Sequence, residues 1–160
     1  ALADGYTIPI SIGAGSTNNR QITQANFFAT ISEPMNLLDN ILQRPEIKDY
    51  SETKQAVVAA STTDIDLTAG NVVSLSQDTA ITTFTFSNPS PTGKCCSFTL
   101  IRTKDATGTS RAITWPASVK WAVGTAPTLT QTTGCVDILS FITVDAGTTW
   151  YGFLGGVAFA

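Results

Sequence analysis

The most constraining feature of this chain is a two-residue alternation of apolar and polar side chains, which begins near Ala56 and recurs through the rest of the sequence. It is clearest over residues 82–86, where Phe84 and Phe86 alternate with threonines. Successive side chains of a β-strand point to opposite faces of the sheet, so the two phenylalanines would share one face and the threonines the other. The alternation predicts strands with one face toward a core and one toward water.

Runs of this kind are separated by clusters of Gly, Pro, Asn, Asp and Ser. They predict about eight to ten strands, at the spacing typical of a sandwich or jelly roll. The tripeptide Asp145-Ala146-Gly147 predicts a short hairpin connection between two long strands. We expect a mainly β fold, with a jelly-roll-like antiparallel β-sandwich over residues 53–160. The clearest runs are Ala56–Ala60, Thr63–Leu67, Asn71–Leu75, Ala80–Ser87, Cys96–Thr103, Arg111–Thr114, Val119–Ala122, Cys135–Val144 and Thr148–Leu154.

The first part of the chain has a different pattern. Two short runs around a glycine-rich turn, over residues 6–22, predict a small hairpin or an extended arm. Thr23 would cap a short helix over residues 24–31, and a second helix is predicted over residues 34–43, with proline tolerated in its first turn. Residues 1–52 are therefore predicted to be an attachment or oligomerisation segment.

The second of these helices carries an apolar stripe. Met35, Leu38 and Leu42 follow the i, i+3, i+7 spacing of one helix face. A helix of about ten residues is marginal in water by itself, so the stripe needs a partner. The partner is either the β domain of the same chain or two further copies of the helix at a threefold axis.

Charge limits the choice of partner. The net charge is −3 and the sequence pI about 4.7, which argues against the clustered Lys and Arg that phosphate backbones require. No apolar run approaches the roughly 18 residues of a membrane span, and no basic segment leads into an apolar one as in a signal peptide. We therefore expect neither nucleic-acid binding nor membrane insertion.

The sequence offers little for catalysis, metals or cofactors. It has no histidine, which excludes Ser-His-Asp and Cys-His sites and removes a common zinc ligand. Its three cysteines, Cys95, Cys96 and Cys135, are predicted to be reduced, small buried hydrophobes. We expect no catalytic, cofactor-binding or metal-binding residues.

Four aspartates are the candidates for a catalytic or calcium site. Asp64 and Asp66 would share one face of a strand, and Asp137 and Asp145 flank another. A glycosidase pair or a calcium site needs fixed separations and further oxygen ligands that no motif here supplies. The expected positions are a solvated strand face and strand-end turns.

The three tryptophans are the most informative aromatic residues. Trp115, Trp121 and Trp150 could stack on sugar rings if they were exposed on a β-sandwich. Tryptophan more often lies in a core or a subunit interface, and burial there is the default expectation.

Residues 110–121, Ser-Arg-Ala-Ile-Thr-Trp-Pro-Ala-Ser-Val-Lys-Trp, and residues 124–129, Gly-Thr-Ala-Pro-Thr-Leu, resemble the C-terminal domain of many bacteriophage tail-fibre and other virion proteins. The resemblance continues in residues 136–141, Val-Asp-Ile-Leu-Ser-Phe, and 147–152, Gly-Thr-Thr-Trp-Tyr-Gly. Upstream, Ile8-Pro9-Ile10 with residues 19–23 is similar to the segments that join such domains to a fibre.

The resemblance implies a homotrimer of small β-sandwiches in the virion, attached through its N-terminal segment to tail, baseplate or capsid proteins. Trimer contacts would also accommodate a chain with only 13% charged residues, where roughly 25% is usual, and with 26 threonines. The expected role is adhesive, through repeated copies, with a glycan of the host surface as a further partner.

Three functions remain open. The chain is a tail-fibre or baseplate-attached appendage subunit, a capsid cement or head-fibre decoration protein, or a carbohydrate-binding module. The first would dock onto a tail component and the second onto shells without tail proteins. The third predicts a monomer with tryptophans along a groove.

Overall fold

The computed structural model describes residues 7–9, 21–23, 48–105 and 109–160. Contacts divide the chain into two compact units, Ala1–Lys48 and Asp49–Ala160. In the first unit, strand β1 (Thr7–Pro9) pairs antiparallel with strand β2 (Gln21–Thr23). The helices predicted over residues 24–31 and 34–43 lie outside the described residues, and so do Met35, Leu38 and Leu42.

The second unit is mainly β, as predicted, with short 3₁₀ turns over Leu67–Ala69 and Ala122–Gly124. The strands form a six-stranded sheet in the order β3-β5-β7-β9-β10-β8 and a two-stranded sheet of β4 and β6. Their bounds are β3 (Lys54–Val58), β4 (Thr62–Asp66), β5 (Val72–Gln77), β6 (Thr83–Ser87), β7 (Cys96–Lys104), β8 (Val119–Trp121), β9 (Val136–Thr143) and β10 (Trp150–Phe159).

The pairing directions are mixed, which corrects the antiparallel arrangement expected from the sequence. β5 lies parallel to β3 and to β7, β6 parallel to β4, and β8 parallel to β10. In the six-stranded sheet the two antiparallel pairs both involve β9, which pairs with β7 on one side and β10 on the other. The cause is the chain order, because from β3 to β7 successive strands alternate between the two sheets. Each strand therefore enters its sheet in the same direction as the previous strand of that sheet, which gives a parallel pair.

Most predicted strands differ from the observed ones by one to three residues at an end, and two predictions differ more. Residues 111–114 form no strand, because only Ile113 bridges to Ile81. The Ile81 amide donates to the carbonyl of Ala112 at 3.0 Å, and the Thr114 amide donates to the carbonyl of Ile81 at 2.8 Å. β10, by contrast, continues past the predicted end at Leu154, because two register shifts let it stay paired with β9.

Aromatic rings form the centre of the core of this unit. The rings of Phe98 and Phe141 stack with centroids 4.9 Å apart, and Phe86 meets Phe98 edge-on at the same distance. Phe84 is 4% exposed, whereas the threonines of β6 are exposed. The core face and the wet face predicted from the alternation in residues 82–86 are therefore confirmed.

A buried ion pair lies beside the apolar core. Arg102 Nη1 donates to Asp137 Oδ2 at 2.7 Å, and both side chains are fully buried. The same Nη1 donates to the carbonyl of Thr130, while Asp137 accepts from the amides of Thr130 and Ala158. The pair therefore ties the loop before β9 and the end of β10 to the interior of the sheet.

Candidate interaction face

The six-stranded sheet turns one face toward the aromatic core, and we call its opposite face the outer face. Strand register arranges its side chains in rows. Across the sheet these rows read Ser97, Ile142 and Tyr151; Lys54, Val72, Thr99, Ser140 and Phe153; Ala56, Ser74, Ile101, Ile138 and Gly156; and Val58, Ser76, Thr103, Val136 and Phe159. From β5 to β10 no outer position of these strands is charged. The charges begin at the edge strands, with Lys54 in β3 and Lys120 in β8.

Apolar side chains concentrate at the β9 and β10 side of the outer face. Tyr151, Phe153 and Phe159 are 50%, 56% and 50% exposed. We define the β10 patch as Val136, Ile138, Ile142, Tyr151, Phe153 and Phe159. Neighbouring exposed aromatic and branched side chains of this kind mark interaction surfaces more often than free surfaces of monomers.

The backbone of β10 adds a second feature at the same place. β8 pairs with only the first three residues of β10, Trp150 to Gly152. From Phe153 to Phe159, β10 pairs with β9 on one side and, within the described residues, with no strand on the other. An exposed apolar strand with unpaired backbone groups is a template for another strand.

The short β8 is held against β10 by a contact that requires glycine. A Cβ atom at Gly152 would lie 2.6 Å from Cζ3 of Trp121, closer than real Cβ atoms come. The Trp121 ring packs against Trp115 at 5.1 Å and Phe141 at 5.7 Å between centroids. Trp121 therefore fixes β8 to the sheet and leaves the rest of the β10 edge unpaired.

The three predicted tryptophans have different environments. Trp150 is 1% exposed and belongs to the core, which agrees with the default expectation of burial and leaves no exposed ring face for sugar stacking. Its strand position turns it inward, toward Phe98 at 5.5 Å. Trp115 and Trp121 are partly buried, and Trp115 borders a pocket of about 220 Å³.

Asp64 and Asp66 share one face of β4, as predicted, and both carboxylates are used within the fold. Asp64 accepts hydrogen bonds from two hydroxyls of β6. Asp66 accepts from Asn88 and from the amide and hydroxyl of Thr68. The side chain of Asn88, followed by that of Thr68, holds the pKa of Asp66 below its ordinary value.

The other two aspartates differ from each other. Asp145 lies in the turn between β9 and β10, where it accepts from the Thr149 amide at 2.9 Å and the Thr143 hydroxyl at 2.8 Å. The Thr149 amide is the larger cause of the lowered pKa of Asp145. Asp137 is fully buried, so the expectation of a solvated or turn position is wrong for it; the alternation of β9 turns it inward, to Arg102.

The cysteines are free, with Cys96 and Cys135 buried and Cys95 exposed. The expectation of a buried hydrophobe is therefore wrong for Cys95, which precedes β7. Among the described residues, no group of three or more His, Cys, Asp and Glu side chains is placed to hold a metal ion. No helix in the described part of the chain has both the length and the hydropathy needed to cross a membrane.

The sequence reasoning missed the β10 patch, although a signal was present. Five of the seven residues 136–142 are apolar, with Val136, Ile138 and Ile142 on the outer side and Leu139 and Phe141 on the core side. A strand that is apolar on both faces is typical of one that is covered on both. This pattern points to a cover for the outer face.

Comparisons of the chain with protein-family models, with curated proteins and with solved structures find no match.

Proposed function

We propose that this chain is a structural subunit of a bacteriophage virion, a homotrimeric tail-fibre or baseplate-attached appendage that serves in assembly and host attachment. One observation carries the proposal: an uncharged outer face whose β10 patch adjoins an unpaired strand edge. The two sheets are proposed to be the layers of a β-sandwich, jelly-roll-like in having two layers but not in its strand directions. The proposal assigns the chain no catalytic role and no cofactor.

Self-association is the use that suits this face best. A face without charges can meet a copy of itself without like-charge repulsion, and burial of its aromatic side chains removes apolar area from water. Apart from the Ala158 amide, which donates to Asp137, the stretch Phe153 to Phe159 would supply backbone hydrogen-bond groups to a neighbouring strand. The surface that would be a liability on a monomer becomes useful in an assembly.

The trimeric state and the virion location come from the motif resemblance. A closed ring of three copies would cover three β10 patches at once and present three equal outer ends to a host cell. Three weak contacts to one surface give an avidity that a single copy lacks. The unit Ala1–Lys48 would then attach the ring to other virion proteins.

The first test is the solution mass of the full chain, measured by light scattering over a range of protein concentrations. A mass of about three times 16.8 kDa supports the proposal. A monomer at every concentration would overturn the self-associating subunit and favour the carbohydrate-binding module.

Location is tested by mixing the labelled chain with separated tails and tail-less capsids of a phage that encodes it. Binding to tails supports the appendage. Saturable binding to capsids alone would replace it with the capsid cement or head-fibre alternative, because cement subunits sit at capsid symmetry axes.

A further inference from the structure

A polar cleft of about 500 Å³ opens at the end of the six-stranded sheet where β3 and β5 begin. Tyr50 and Glu52 line one side, just before β3. The turn that leads into β5 lines another side through Asn71, and Ser97 of β7 lines the floor. Ligand sites in proteins are usually clefts of about 300–1,000 Å³, so this one has room for a small organic ligand.

The walls of the cleft are fixed by hydrogen bonds and by one glycine. Gln55 Nε2 donates to the carbonyls of Asp66 at 3.0 Å and Gly70 at 2.7 Å, which ties β3 to the turn before β5. Gly70 has a φ of 132°, and a Cβ there would lie 2.2 Å from the carbonyl oxygen of Thr53. The cleft is therefore held in shape before any ligand arrives, which lowers the cost of binding.

The lining combines one exposed aromatic ring with polar side chains that make no hydrogen bonds to other described side chains or backbone groups. Tyr50 is 70% exposed. The side chains of Glu52, Asn71 and Ser97 are exposed, and no hydrogen bond between them and another described residue is present. Among the described lining residues Glu52 is the one that carries a charge, and its carboxylate disfavours anions in the cleft.

We propose that this cleft binds a neutral sugar of one or two rings. A pyranose has an apolar ring face to lie on Tyr50 and hydroxyls that donate to the Glu52 carboxylate and accept from the Asn71 amide. This sugar site rests on the proposed virion function in one respect only: that function names the surface of the host cell as the source of the sugar.

The cleft and the β10 patch share no residue, although Ser97 of the cleft pairs with Ile142 of the patch. The cleft belongs to the starts of β3, β5 and β7, and the patch to β9 and β10. A trimer formed through the patch would keep three clefts, so three weak sites would act together on one glycan-coated surface.

The test is titration of the full chain with lactose, maltose, mannobiose and chitobiose, and with the acidic hyaluronan disaccharide. Binding is followed by calorimetry and by the backbone amide signals of residues 50, 52, 71 and 97 in TROSY NMR spectra. We expect at least one neutral disaccharide to shift these four signals and the acidic one to leave them unchanged. A ring platform with generic hydroxyl partners accepts many pyranoses weakly, so absence of any shift at millimolar sugar overturns the proposal.

Single substitutions test whether the sugar binds in this cleft. Tyr50→Ala should weaken binding at least about tenfold, which corresponds to about 1.4 kcal/mol, while Tyr50→Phe should retain it. Val123→Ala is the control, because Val123 is fully exposed and lies outside both the cleft and the β10 patch. Binding that survives Tyr50→Ala and disappears in Trp115→Ala would move the sugar to the tryptophan pocket and overturn the cleft.

Light scattering on the same samples separates the two proposals. A trimer that binds none of the sugars overturns the cleft and leaves the virion subunit standing. A monomer that binds a neutral sugar through Tyr50 supports the cleft and overturns the self-associating subunit.

Discussion

At the scale of single residues, the buried ion pair is the most consequential feature of the core. Arg102 Nε donates to Gln77, and Nη1 donates to Asp137 and to the Thr130 carbonyl. Replacement of Arg102 by methionine would leave the Asp137 carboxylate buried without its cation. Removing one partner of a buried pair costs roughly 3–5 kcal/mol, so we expect a loss of that size in the free energy of unfolding.

Urea unfolding of Arg102→Met at fixed protein concentration measures this loss. The double variant Arg102→Met/Asp137→Leu should lose less than the single one, because no unpaired charge is left inside. A single variant within about 1 kcal/mol of the parent would show that the carboxylate is compensated by its two backbone amides alone.

Asp145 makes stability depend on pH in the acid range. Its hydrogen bonds lower its pKa from the ordinary value of 3.8, so the folded state binds its proton less readily than the unfolded chain does. The stabilisation is complete above pH 3.8 and is lost as the pH falls through the lowered folded pKa. Thermal melts of the parent and Asp145→Asn should therefore differ by a constant amount at neutral pH and converge in strong acid; a difference that grows on acidification would contradict this.

The sequence predicted correctly whether some side chains are buried or exposed, but not others. Phe84 and Phe86 could be placed on the core face because their alternation is local. Arg102 and Asp137 also occupy core-side positions of their strands, and this alternation was the available signal of burial. Charged side chains are seldom buried unless they are paired, and the two residues are 35 positions apart in the sequence, so the pair was not predicted. The exposure of Cys95 had no local signal.

At the scale of elements, the existence of strands was predictable and their pairing was not. The hairpin at Asp145-Ala146-Gly147 followed from its turn residues, and Ala146 and Gly147 do adopt positive φ values of 55° and 78°. Whether two strands pair parallel or antiparallel depends instead on which sheet each strand enters. The alternation of apolar and polar residues predicts only which side chains face a core. Parallel pairs such as β3 with β5 therefore escaped the sequence reasoning.

The contact between β8 and β10 gives an element-scale prediction. Gly152→Ala would push a methyl group into the Trp121 ring, and overpacking of this kind costs roughly 1–3 kcal/mol. In the background Trp121→Leu the same change should cost clearly less, because the ring atoms that it meets are gone. Chemical denaturation of the four proteins of this cycle gives the coupling energy, and equal costs in both backgrounds would show that the glycine is needed for another reason.

At the scale of the whole molecule, composition and geometry agree. A chain with 13% charged residues has few charges to spread over its surface, and the six-stranded sheet places none at the outer positions between β5 and β10. The same strands are apolar on both faces near β10, where the strand edge is also unpaired. The proposed cover made of identical chains would account for these features together, whereas a free monomer would leave the apolar patch and the unpaired edge in water.

The β10 patch supplies the prediction for the assembly. Phe153→Asp would place a carboxylate inside each contact, and loss of an interface anchor costs about 2 kcal/mol or more, equivalent to roughly 30-fold weaker association. Val123→Asp is the matched control, because Val123 is fully exposed in the 3₁₀ turn after β8 and outside the patch. Light scattering should show Phe153→Asp dissociating at concentrations where the parent and Val123→Asp stay associated, with unchanged far-ultraviolet circular dichroism. A Phe153→Asp protein that keeps the parent mass at every concentration would show that the chains meet through another surface.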